Sequence, residues 1–428
     1  MKFLKYLFFI LFILASHNFW GTVQLYKYSL LIGTANTYLI DWSFFFFVSL
    51  SLPEILASKK GKKEQFLLNK EMILFLCYGV FIAFYSIIIM GVTFRNTFRG
   101  VSEIFYYAIY FGIPFLMKNK KDINIFVWIL FINSLVAVSV NIYQNFTGWE
   151  PGFVEGVSHF SKTIDMGGIY RAYNPSNQWI IFSLCFLYVI LINYKISIIR
   201  LLYFCVLTVA MLLTFIRNVY IGFILISFFL LALGIFRWRK RWKLNKTVFG
   251  VVLVGMIFYV ALSYSYPIFD RFQSSLFEIK EKTGTFGERL QLSDIALRSL
   301  KGVQLYLGSG YGQLSDTLDS SQRHFIEALQ SGADSGIINI LLRLGIVGLI
   351  FYVIINFKFI IFSWKRLNTT NLTLSRTFYM GAISYSLWIW TQSFASNMFL
   401  SSQNSIILII IWSMGDRLAA LEMKQNEK

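Results

Sequence analysis

The sequence predicts an all-α, polytopic integral membrane protein of about twelve transmembrane helices, with a large extracytoplasmic helical loop between helices 9 and 10. Three observations predict it. Of 428 residues, 57% are hydrophobic and 14% charged, whereas a soluble chain is about a quarter charged. Apolar runs of about twenty residues, the length that crosses a bilayer, recur along the chain. Basic residues gather in alternate connections between those runs.

The runs fall at roughly 3–19, 38–57, 72–92, 99–117, 123–143, 177–193, 197–216, 218–236, 247–266, 336–363, 377–398 and 401–419. The first, within MKFLKYLFFILFILAS, has the two lysines and apolar core of a signal peptide. No small-residue cleavage pattern follows before Trp20, so it reads as a retained first span. Residues 1–266 then form a bundle of nine helices with an outer loop at about 144–176. Residues 267–335 form the large extracytoplasmic loop, 336–420 hold helices 10–12, and 421–428 form a cytoplasmic tail.

Charge placement sets the threading. With the N-terminus inside, Lys2, Lys5, KKGKK 59–63, KNKK 118–121, RWRKRWK 237–243 and Lys365–Arg366 all lie inside. The short outer loops hold little more than Lys27, Arg95, Arg99, Lys162 and Arg171. Positive-inside bias thus accounts for much of the +18 net charge, with the lipid bilayer as partner and no nucleic acid required. The expected site is multi-pass membrane, with both termini cytoplasmic.

Cys77, Cys185 and Cys205 all fall in apolar runs, with no CxxC pair, and His17, His159 and His324 are far apart. No metal and no cofactor are expected.

The long outer loop carries helical periodicity at Ile268, Phe269, Phe272, Leu276 and Ile279, then at Leu290, Ile295, Leu297 and Leu300. Thr285 to Glu288 has capping-box spacing before the second stretch, and Gly302 can end it. The glycine-tyrosine-glycine of GSGYG 308–312 resembles a potassium filter but lies in a loop rather than between two spans, so it reads as a flexible turn.

Arg217 is the most informative residue. Residues 197–236 just accommodate two spans with a tight turn at the outer face, which sets Arg217 at the start of the eighth span. A helix N-terminus offers free N–H groups and positive partial charge, and a guanidinium there makes a phosphate receptor. Spacing alone leaves a second reading, an arginine snorkelling to the interface. Arg171 precedes Asn174–Pro175, which can cap a helix start. Arg289 follows Glu288 on a predicted surface helix. Arg99 and Glu103 have i,i+4 spacing and can pair. Asp334 or Ser335 can cap the tenth span. Arg343 lies nine residues after Asp334, about 13 Å deeper and on the opposite face of a straight helix. Gly345 and Gly348 permit close helix packing.

Four of these stretches, YRAYNPSNQW, FIRNVYIGF, GERLQLSDIALRSLKGVQLYLGSGYG and DSGIINILLRLGIVGLI, resemble the O-antigen polymerase and O-antigen ligase superfamily of bacterial polysaccharide assembly. The resemblance extends to the architecture of about a dozen spans with a late outer loop. It implies a GT-C-like glycosyltransferase working at the outer face of the bacterial cytoplasmic membrane. The substrate is an undecaprenyl-pyrophosphate-linked oligosaccharide, and a chain-length regulator and flippase of the same pathway are the implied partners. Arg217, Arg289 and Arg171 would bind pyrophosphate. Asp334 is the first candidate for the base on the acceptor hydroxyl, with Glu288 and His324 behind it. Ligases of the family usually open the signature span with histidine. Asp334 or Ser335 stands there in this chain, which leans toward a polymerase.

Overall fold

The computed structural model describes residues 2–15, 24–30, 33–60, 67–147, 177–194, 197–214, 217–237, 294–295, 297–298, 300–311, 335–370, 373–393 and 402–426. The expected span 247–266 and the capping box at 285–288 lie outside them. The helices are α1 (Lys2–Ala15), α2 (Leu39–Lys60), α3 (Asn69–Ile88), α4 (Phe94–Phe105), α5 (Ile109–Gly112), α6 (Lys120–Thr147), α7 (Asn177–Asn193), α8 (Ile198–Leu212) and α9 (Arg217–Arg237). After these come α10 (Val303–Leu307), α11 (Gly336–Thr369), α12 (Thr373–Ser393) and α13 (Ser402–Asn426). The described residues depart from all-helical structure in one antiparallel hairpin, β1 (Gln24–Leu30) with β2 (Gly33–Tyr38).

Four helices are long and apolar enough to cross a membrane, at Leu39–Ala57, Asn69–Ile88, Lys121–Thr147 and Gly336–Thr369, and α7 and α8 are shorter apolar helices. Their outward faces are apolar at helical spacing. Leu74, Phe81, Phe84 and Ile88 are exposed on α3; Ile125, Trp128, Ile132, Leu135, Ile142 and Phe146 on α6; and Ile350, Ile354, Phe357 and Ile361 on α11. The opposite face of α6 buries Asn133, Ser134, Asn141, Gln144 and Asn145. Such an arrangement, apolar outside and polar within, suits a lipid surround and would leave large exposed apolar patches in water.

One end of the bundle is tied by charges. Lys2 pairs with Asp122 at 2.9 Å, and Lys5 with Glu54 at 2.7 Å. Arg417 Nε donates to the Met117 carbonyl at 2.7 Å. The start of α1, the start of α6 and the last turns of α13 thus share this end. The opposite end holds the starts of α7, α9 and α11 and the last turns of α6 and α12.

Two expectations change. The run 99–117 is not one helix: α4 passes through 3-10 turns at Tyr106–Ala108 and Ile113–Phe115. Pro114 has no N–H to give, and the preceding Gly112 lets the Phe47 ring approach to 2.7 Å of where a Cβ would stand. Glu103 accepts a hydrogen bond from Arg343 Nη1 at 2.9 Å; the side chain of Arg99, its expected i,i+4 partner, lies outside the described residues. The second change concerns GSGYG and Gly345, and the two meet.

Within α11 the backbone breaks at Gly345 (φ 65°, ψ −170°). Against the break sits the segment 306–311. Ser309 donates from both its N–H and its hydroxyl to the Leu342 carbonyl, at 2.7 Å each. Tyr78 donates to the Leu344 carbonyl at 2.5 Å. These are the carbonyls that the break would otherwise orphan. A Cβ on Gly345 would meet the Tyr306 carbonyl oxygen at 2.2 Å. Gly308 and Gly310 are left-handed (φ 77° and 80°), and Ser86 Oγ accepts from the Tyr311 N–H at 2.8 Å. The turn is therefore docked rather than loose, and Gly345 packs against it rather than against a helix. The buried Tyr311 hydroxyl is held protonated, its pKa pushed well above 10 by burial.

Candidate functional site

Arg217 is the first residue of α9, as the spacing predicts. The end of α8 before it, at Leu212 and Leu213, is fixed by two polar contacts. Asn145 on α6 donates its amide to the Leu213 carbonyl at 2.9 Å, and Tyr220 donates to the Leu212 carbonyl. Both satisfy carbonyls at the end of α8; the first binds α8 to α6, and the second ties α9 to α8.

One and a half turns into α9, Gly222 faces α12. A Cβ there would lie 2.6 Å from both Trp388 Nε1 and Gln392 Nε2. Trp388 is fully buried (0% exposed), and its indole N–H has no hydrogen-bond partner among the described residues. Tyr385 stacks on it, with ring centroids 5.7 Å apart, and Phe182 of α7 meets Tyr385 edge-on, also at 5.7 Å. Asn141 of α6 donates to Asn177, the first residue of α7, at 2.5 Å. Gln144, Gln178, Gln392 and Ser393 are buried in the same end of the bundle. Amides buried in an apolar bundle cost free energy unless bonded, and Asn141, Asn145 and Asn177 are bonded within this layer.

The start of α11 reaches the same place. Ser335, its N-cap, donates its hydroxyl to the Ser393 carbonyl at 3.1 Å. Asp334 lies one residue earlier, outside the described residues. The last two turns of α12, Trp388 to Ser393, therefore touch both the α9 that begins with Arg217 and the α11 that follows Asp334. Arg171, Glu288, Arg289 and His324 also lie outside the described residues. Arg343 is elsewhere, committed to Glu103 beside the α11 break.

Trp388, Tyr385 and Gln392 escaped the sequence reading. Tryptophan and tyrosine near span ends read as interface anchors, and Gln392 sits singly in an apolar run. A lone amide inside a span was the available signal. Among the described residues no group of three His, Cys, Asp or Glu side chains could hold a metal.

Four helices long and apolar enough to cross a membrane, with apolar outward faces, define a multi-pass membrane protein whose described residues carry a polar interior layer at one bundle end. Residues 201–353 match the family model for the O-antigen ligase. The matched stretch runs from α8 through Arg217 and the 306–311 turn to Val353, just past the α11 break. Over that stretch, about a third of its length, the chain is similar to this family, consistent with the resemblance that its four sequence stretches carry. No curated protein matches the chain.

Proposed function

We propose that the protein polymerises a bacterial O-antigen or capsular polysaccharide at the outer face of the cytoplasmic membrane. The glycan of one undecaprenyl-pyrophosphate-linked oligosaccharide passes to the repeat unit on another. The acceptor hydroxyl oxygen attacks the anomeric carbon of the donor glycan, forming the new glycosidic bond. The bond from that carbon to pyrophosphate oxygen breaks, and its electron pair leaves on the lipid pyrophosphate. The hydroxyl proton passes to a base, for which Asp334 is the first candidate, ahead of Glu288 and His324.

The observation that carries this reading is the convergence of α9 and α11 on Trp388–Ser393. It brings the backbone that bears Arg217 and the backbone that follows Asp334 to one stretch of α12. Departing pyrophosphate gathers negative charge, and a guanidinium at a helix start is suited to it on both counts. Arg289 and Arg171 are proposed to share that role. The lysine-rich, ion-paired end of the bundle then faces the cytoplasm together with both termini.

Ligation of finished glycan to a terminal acceptor is the second reading, favoured by the description of the matched model. A flippase is the reading from another class. It calls for charge along a central path, and Arg343, the one deep arginine of the signature span, is paired with Glu103.

Gene deletion followed by gel analysis of surface polysaccharide separates them. Loss of the ladder with survival of a single-repeat band is the polymerase result. Full-length polymer retained on lipid, with bare acceptor, means ligase. Repeat units trapped inside the cell mean a flippase and end the reading of Arg217 given above.

A further inference from the structure

The segment docked at the α11 break lies at the depth of a membrane span. The 20 residues of α3 make about 30 Å of helix, the thickness of the hydrocarbon core. Ser86, two residues from the end of α3, accepts from the Tyr311 N–H at 2.8 Å. Tyr78, at the middle of α3, donates to the Leu344 carbonyl at 2.5 Å. A Cβ on Gly308 would meet Leu344 N at 2.6 Å, which sets Gly308 level with Leu344. Residues 308–311 thus run alongside the half of α3 from Tyr78 to Ser86 and not beyond its end. α10, just before them, turns apolar side chains to the outside. Val303 is 62% exposed and Tyr306 58%, with Leu305 exposed between them. Phe81, Phe84 and Ile88 are the exposed residues on that half of α3. The sequence changes character at Gly302. Asp294, Arg298 and Lys301 before it are charged and exposed, whereas Val303–Leu307 carries no charge.

We infer that residues 303–311 form a re-entrant segment seated in the bilayer. Val303, Leu305 and Tyr306 face the acyl chains of the leaflet that holds the Ser86 end of α3. Five helical residues, about 7.5 Å of rise, are too few to cross, so the segment enters this leaflet without spanning it. Its exposed side chains continue the lipid-facing surface of α3 at the same depth, and that continuity commits the face to lipid. Non-helical backbone at membrane depth needs protein around it. Here Gly308, Gly310 and Tyr311 are buried, and the N–H groups of Ser309 and Tyr311 are bonded to the Leu342 carbonyl and Ser86 Oγ. The Arg343–Glu103 pair fits the same depth. A Cβ on Gly308 would lie 2.6 Å from the Arg343 carbonyl oxygen, so Arg343 is level with the segment. A lone charge in hydrocarbon is costly, and this guanidinium is met by a carboxylate at 2.9 Å. The seating is independent of which glycan the protein handles.

Spin labels on the full-length protein in lipid nanodiscs measure the depth. Val303→Cys and Tyr306→Cys are made with Cys77, Cys185 and Cys205 replaced by alanine, and each carries one nitroxide. Phe84→Cys, on the exposed side of α3, is the lipid-facing reference. Both positions are exposed, so a label displaces no packed side chain. Labelled protein that melts with its unlabelled parent is the material compared. Oxygen gathers among acyl chains, whereas a nickel chelate stays in water. At Val303→Cys and Tyr306→Cys the label is expected to respond more to oxygen than to the chelate, as it does at Phe84→Cys. A stronger response to the chelate at either position means that the segment stands in water and overturns the inference. A weak response to both reagents at either position means that protein covers the face, a second copy or another part of the chain, and overturns it as well.

Discussion

Arg343 and Glu103, far apart in the chain, meet at 2.9 Å and join α11 to α4 beside the break at Gly345. Each side chain is about a third exposed, at 30% and 28%. Removing one partner leaves a half-buried charge with a weaker neighbour. Glu103→Gln is expected to destabilise the protein by about 1–2 kcal/mol, less than a fully buried pair would cost. The reversed pair, Glu103→Arg with Arg343→Glu, should regain part of that. Melting of the purified protein in nanodiscs measures it, and a double reversal no better than the single changes would show that the pair is not a coupled unit.

Gly345 and Gly91 share a left-handed backbone, at φ 65° and 69°, but not an environment. Nothing lies within 4 Å of a Cβ on Gly91, whereas one on Gly345 meets backbone atoms of Tyr306 and Gly308 at 2.2 to 2.5 Å. Gly91→Ala should cost about 1–2 kcal/mol from strain alone. Gly345→Ala should cost more, because the docked turn 306–311 must move as well. Side-by-side thermal melts decide, and equal losses would mean that the turn yields freely.

Much of this architecture was legible in the sequence because lipid makes apolar length a direct signal. The run 177–193 and α7 (Asn177–Asn193) coincide, and the hairpin of α8 and α9 turns where forty residues had to turn, with Arg217 at the helix start. What was not legible depends on partners distant in sequence. Ser86 holding the Tyr311 N–H, Ser309 bonding Leu342, and Arg343 choosing Glu103 over solvent are tertiary choices that no local pattern carries. The broken fourth span was half legible, since Pro114 was visible but apolar length outweighed it. At the site, Arg217 could be read from spacing. Trp388 could not, because its meaning comes from Gly222 on another helix.

Gly222→Ala tests that contact directly. The added methyl would sit 2.6 Å from Trp388 Nε1 and Gln392 Nε2 and 2.7 Å from Trp388 Cδ1. A buried indole stacked on Tyr385 has little freedom to retreat. Overpacking of this kind is expected to cost about 1–3 kcal/mol and to shorten or abolish the polysaccharide ladder. Gly222→Ala protein with unaltered melting and a normal ladder would mean that α9 and α12 do not need this close approach.

Arg217 itself gives the sharpest functional expectation. Arg217→Ala is expected to insert and fold, because α9 is held by Tyr220 on the Leu212 carbonyl and by the packing of Gly222 on α12, neither of which uses the guanidinium. Polymer formation should nonetheless fall by about a hundredfold or more, the usual consequence of removing a donor from a site where charge develops. Arg217→Lys should recover only part, since an ammonium keeps the charge but loses the planar fork that grips two phosphate oxygens. Ladder length on a gel, normalised to membrane-inserted protein, is the measurement. A full ladder from Arg217→Ala would return Arg217 to the role of an interfacial anchor and move the search for the leaving-group cation to Arg289 and Arg171.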